Sequence, residues 1–215
     1  LRRVRGAEPA RTDILIPVEN HLARILENDD PGDLLRELAV NMEIKYRARQ
    51  YADLLGRLFR FEEALLEWAV SVYGNIRAGK RAGGEYPEFI EGIRANDGLE
   101  DYLKTRRVDG SRMRYAEPSR MVLREITRFL VINKNGSGGG IGAVLECADA
   151  ISAFSDLRNR SIIAHGFKGI SLSDLEALGI TAVFERIGSI VPDTSGISFA
   201  PINACIARIL GGEIP

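Results

Sequence analysis

The apolar residues of this chain recur at helical spacing over most of its length, and no alternating strand pattern runs for more than a few residues. That periodicity confines the fold to the all-α class. It is clearest from Tyr51 to Tyr73, where Leu54, Leu55, Leu58, Phe59, Ala64, Leu65, Trp68 and Val72 predict a helix with a broad apolar face. Pro31 and Asp33 open the helix before it, with Leu34, Leu35, Leu38, Ala39 and Met42 at helical spacing, and the pair reads as an αα-hairpin. An earlier helix, capped by Thr12 and Asp13, extends to Glu27.

Downstream, Gly74–Glu85 reads as a loop, followed by short helices at Tyr86–Arg94 and Gly98–Thr105. Arg106–Tyr115 is a basic loop, and Pro118 starts a helix to Ile132. Asn133–Gly142 is glycine-rich and predicts no regular structure. A long helix is expected over Ala143–Ala164, a capping box at Ser173 and Glu176 ahead of another, and a last helix from Pro201 to Gly211. The expected organisation is one α-helical domain over residues 1–215 with an irregular insertion at 74–116.

A chain of 215 residues can bury a real core. Its 29 Lys and Arg against 30 Asp and Glu exclude the globally basic footprint of a non-specific nucleic-acid binder, but not a local basic site. Only Lys45, Lys80, Lys104, Lys134 and Lys168 are lysines; the arginine excess reads as a codon bias, with forked phosphate contacts as the alternative. His21 and His165 are the two histidines, and Cys147 and Cys205 stand far apart, so neither a metal site nor a cofactor is expected. Two cysteines make no disulfide scaffold, which fits a reducing cytoplasm. No apolar run is long enough to span a membrane, and no h-region follows the basic N-terminus. A chain opening on Leu1 is expected to be the ordered part of a longer one.

The glycine-rich run lacks the Gly-Lys-Ser/Thr ending of a phosphate loop, and a G-x-G-x-x-G spacing begun at Gly136 breaks at Ile141. It reads as a flexible connector, with a nucleotide-gated loop as the alternative. His21 has no partner at a motif spacing and reads as a surface or boundary residue. His165 lies in Leu157-Arg158-Asn159-Arg160-Ser161-Ile162-Ile163-Ala164-His165-Gly166, where Gly166 would end a helix. On a continuous helix Arg158 and His165, two turns apart, fall within about 20° of one face. Ser161 shares that face and would orient the imidazole, whereas Arg160 lies roughly 140° away from His165. The negative helix end favours the imidazolium. Such a pair supplies what metal-free RNA cleavage needs. A base takes the 2′-OH proton, the oxygen attacks phosphorus, Arg stabilises the developing charge, and an acid protonates the leaving 5′-oxygen. The same spacing also suits a solvated or salt-bridged surface pair.

Arg158, followed by Asn159, five further residues and His165, resembles the Arg-x(4–6)-His motif of HEPN-domain ribonucleases. The stretch Ser161–Ala164 and Gly166 are similar to that family too, and Tyr51–Ala64 resembles the helix before the catalytic half in the CRISPR-associated ancillary ribonucleases of type III systems. The resemblance implies a HEPN-like helical bundle and a metal-independent endoribonuclease acting on single-stranded RNA in antiviral defence. The products would carry 2′,3′-cyclic phosphate and 5′-hydroxyl ends. It implies Arg158 and His165 as catalytic residues, Asn159 as support, and a homodimer with a composite cleft. The sensor that binds cyclic oligoadenylate in that family, a Rossmann-like CARF domain, has no counterpart in this sequence.

The rival expectation is a non-catalytic α-helical adaptor, which the near-neutral charge and broad apolar faces also suit. Arg106, Arg107, Arg112 and Arg114 read either as phosphate contacts or as solvated charge, with Tyr86, Tyr102 and Tyr115 near enough for base stacking.

Overall fold

Helix α1 runs from Pro31 to Arg47 with proline in its first position and the Asp33 carboxylate in its first turn, where the helix end is positive. The computed structural model describes residues 31–79, 84–108, 110–133, 139–161 and 169–191. The expected helices at 12–27 and 201–211, together with His21, His165, Gly166 and Cys205, lie outside those residues. A turn with Arg49 at φ 57 leads from α1 into α2, Tyr51–Gly74, and Lys45 pairs with Asp53 across it at 3.2 Å.

Helix α2 is the central element. Leu54, Leu55, Leu58, Phe59, Phe61, Leu65, Leu66, Ala69 and Val70 are all buried. Spacing put Val72 on the apolar face, but it is 58% exposed. Burial extends instead to Phe61 and Leu66, because neighbours pack on more than one side of this helix. Asn75 ends α2 in the left-handed conformation, its N–H reaching back to the Ser71 carbonyl at 3.0 Å.

The stretch after α2 holds the two short helices expected there, and the basic loop that follows them carries a short ribbon. The helices are α3 (Pro87–Ala95) and α4 (Leu99–Thr105), and the ribbon pairs β1 (Arg107–Val108) with β2 (Ser111–Arg112), Arg107 opposite Arg112. Phe89, Ile93, Leu99 and Leu103 form an apolar cluster with Leu66 and Val70 of α2 and with Val122, Ile126 and Phe129 of the next helix. Helix α5 spans Arg120–Asn133 and starts two residues beyond Pro118, where the Ser119 hydroxyl accepts the Val122 N–H at 3.5 Å.

Helix α6 spans Gly139–Ser152, so the end of the glycine-rich run is helical rather than irregular. Ile141 anchors it in the core, and Gly140 admits the Tyr73 hydroxyl, which would lie 2.3 Å from any Cβ placed there. The expected long helix then breaks twice. At buried Phe154 the backbone N–H bonds to the Ile151 carbonyl at 3.0 Å, closing a turn one residue tighter than an α-helix. Helix α7, Ser155–Arg160, ends where Ser161 becomes extended at φ −88 and ψ 163. Arg158 and His165 therefore do not share one helix, and the two-turn argument for a common face fails.

The capping box lies two residues earlier than Ser173 and Glu176. Ser171 Oγ accepts the Asp174 N–H at 3.2 Å, and Asp174 Oδ2 accepts the Ser171 N–H at 3.0 Å. It opens α8 (Leu172–Ala177), and Gly179 at φ 77 leads into α9 (Ile180–Ile190). Leu175, Val183 and Ile187 join Leu35, Met42, Leu58, Phe59, Val144, Phe154 and Leu157 in a second apolar cluster. Among the described residues no helix is long and apolar enough to cross a membrane.

Candidate functional site

Glu62 lies on α2 between Leu58 and Leu66, at the four-residue spacing that keeps a side chain on one face. It is 0% exposed, and an isolated buried carboxylate is costly, so it must be paired. Two arginines one turn apart on α5 pair with it. Arg120 Nη1 donates to Glu62 Oε2 at 3.1 Å and Arg124 Nη2 to Oε1 at 2.9 Å. The Ser152 hydroxyl donates to Oε1 at 3.2 Å. Burial raises the Glu62 carboxyl above the usual range, and the two guanidinium groups and Ser152 oppose that rise.

The arginines continue along α5. Arg124 also donates to the Ala148 carbonyl at 2.6 Å and to Ser152, and its Nε lies 3.5 Å from Asp149. Arg128 pairs with Asp149 at 3.4 Å and with Glu125. Glu125 also holds Arg106, at 3.2 Å, whose guanidinium stacks 4.0 Å over the Tyr102 ring.

At the other end of this chain of contacts is Phe59, one turn before Glu62. The Arg120 guanidinium carbon stands 5.2 Å from the centre of its ring and that of Arg158 4.8 Å. Arg158 is half-buried in the last turn of α7. Among the described residues its guanidinium makes this ring contact and no hydrogen bond or ion pair. A half-buried cation docked on an aromatic face, with no hydrogen-bond partner among the described residues, is suited to a planar or tetrahedral oxyanion.

The other sequence-derived candidates are placed as follows. Asn159 and Arg160 are exposed, and Arg160 Nε donates to the Asp156 carbonyl at 3.2 Å. Ser161 is buried, and its hydroxyl donates to the Arg158 carbonyl at 2.7 Å at the end of α7. His165 lies outside the described residues. In the basic loop, Arg107, Arg112 and Arg114 are exposed. Tyr102 is covered by Arg106 and donates to Glu125 at 3.1 Å, while Tyr115 donates to Glu100 at 3.0 Å. Both hydroxyls are engaged within the fold. Among the described residues, no three His, Cys, Asp or Glu side chains come together as a metal-ligand set.

Sequence reasoning passed over Phe59, Glu62, Arg120 and Arg124 as site residues. Two signals were present. Glu62 interrupts the buried stripe of α2, and Arg120, Arg124 and Arg128 repeat at four-residue spacing. Compared with known proteins, the chain matches no family model, no curated protein and no solved structure.

Proposed function

We propose that the protein is a metal-independent endoribonuclease of the HEPN type, cutting single-stranded RNA by 2′-OH attack to leave 2′,3′-cyclic phosphate ends. The observation that carries this reading is the half-buried Arg158 guanidinium, docked on Phe59 and free of any carboxylate among the described residues. An arginine so held stabilises the charge that develops on phosphorus oxygens as the 2′-oxygen attacks. His165 serves as the proton-transfer group and Asn159 as support, in a homodimer whose two Arg/His sets face one cleft. Defence against invading nucleic acid, under a sensor domain carried elsewhere, is the role this implies.

The test is cleavage of single-stranded RNA in EDTA, with the product ends analysed. Cyclic phosphate ends, lost in Arg158→Ala and in His165→Ala while helicity is retained, support the reading. Cleavage that survives both substitutions overturns the site.

A non-catalytic adaptor is the second reading. One observation favours it: a surface cavity of about 400 Å³ between α1 and α9, lined by Ala39, Tyr46, Phe184 and Ile187 among others. A homogeneous dimer that cleaves no RNA and binds a protein partner through this groove would select it.

A further inference from the structure

We propose that Arg120 is a second phosphate-binding cation beside Arg158, the two guanidinium groups being aligned on the Phe59 ring to hold consecutive phosphate oxygens of one RNA strand. The proposal rests on the reading of Arg158 given above.

The geometry is a shared platform. Guanidinium carbons 5.2 and 4.8 Å from one ring centre stand no more than about 10 Å apart. Phe59 is buried and belongs to the central helix, so the platform is rigid. Charge also favours an anion there. Glu62 is shared by Arg120 and Arg124, Arg124 also pairs with Asp149, and Arg158 adds a positive charge with no counterion among the described residues. Arg124 has the less available head: it is 19% exposed and spends donors on Glu62, the Ala148 carbonyl and Ser152. Arg120 is 29% exposed and makes one hydrogen bond, to Glu62; its remaining N–H groups have no partner among the described residues. Glu62 therefore acts as a positioning residue: it holds one edge of the Arg120 fork and leaves the other edge for a ligand.

A purely structural Arg120 would neutralise Glu62 and do nothing else, and salt dependence separates the two roles. The probe is a 2′-O-methyl single-stranded RNA, which cannot undergo the cleavage reaction, titrated against the full chain over a range of salt concentrations. Each phosphate contact on a single strand contributes about 0.7 to the slope of log K against log salt. Arg120→Met is expected to lower affinity roughly tenfold and to reduce the slope by about one contact. Arg158→Met should do the same, and the double variant should lose both contacts. Arg120→Lys keeps the charge and should keep the slope.

Because Arg120→Met strands a buried carboxylate, the comparison is repeated in the Glu62→Gln background, where no buried carboxylate remains to lose its cation. An unchanged slope on going from Glu62→Gln to Glu62→Gln/Arg120→Met overturns the proposal. If the parent chain cleaves RNA in EDTA and that slope is still unmoved, Arg120 is structural and the ribonuclease reading stands. If the parent chain binds no RNA at any salt concentration, both fall together.

Discussion

The Arg158 guanidinium stands 4.8 Å from the centre of the Phe59 ring, linking the last turn of α7 to the central helix α2. Because this contact involves no ion pair, removing the arginine costs the fold little. Arg158→Ala is expected to reduce unfolding free energy by about 1 kcal/mol or less, measured by urea denaturation. The same variant is expected to lose RNA cleavage entirely, and Arg158→Lys to recover little of it, since an ammonium lacks the planar fork. A large stability loss in Arg158→Ala would show that the guanidinium is a structural cation.

Glu62 makes stability depend on pH in a defined direction. Burial raises its carboxyl, so between the usual glutamate value and the raised one the folded chain keeps a proton that the unfolded chain releases. The stability from this group is complete below the usual glutamate range and is lost as pH rises through the raised value. Arg124→Met removes a cation that opposes the rise. It is expected to cost about 3–5 kcal/mol near neutral pH, as for other broken buried pairs, and distinctly less near about pH 5. Denaturation of the variant and parent at both pH values measures this. A destabilisation independent of pH would show that the Glu62 proton is not involved.

Trp68 is the only tryptophan in the chain, and Tyr73 packs edge-on against it at 5.9 Å. The hydroxyl of that tyrosine occupies the space beside Gly140. Gly140→Ala is expected to displace Tyr73, change the Trp68 emission spectrum and cost about 1–3 kcal/mol. Unchanged emission would mean that the helix start yields and Tyr73 does not.

Cys147 is fully buried on α6, and burial pushes its thiol up to about 12. In a Cys205→Ser chain, native protein is therefore expected to resist iodoacetamide at neutral pH, with labelling appearing as urea unfolds it. Rapid labelling without denaturant would show that α6 opens locally.

Helices α2, α3 and α4 were legible to within a residue or two, and α1 at its start, because each carries an apolar period and a clear proline, glycine or polar boundary. The break between α6 and α7 was not. Residues 143–160 read as one periodic run, and only the burial of Phe154 decides where the chain must turn. The capping box was displaced for a similar local reason: Ser171 with Asp174 satisfies the same rule as Ser173 with Glu176, and geometry selects between them.

What the amino-acid sequence determined by itself is the all-α class, the αα-hairpin of α1 and α2, and Arg158 as a residue worth singling out. These follow from periodicity and motif spacing, which are properties of neighbours along the chain. The surroundings of Arg158 were decided by tertiary structure alone. Phe59, Glu62, Arg120 and Ser152 come from α2, α5 and α6, and no local pattern states that they meet. They meet because Glu62, once buried by the packing of those helices, cannot stay charged without cations brought to it from another helix.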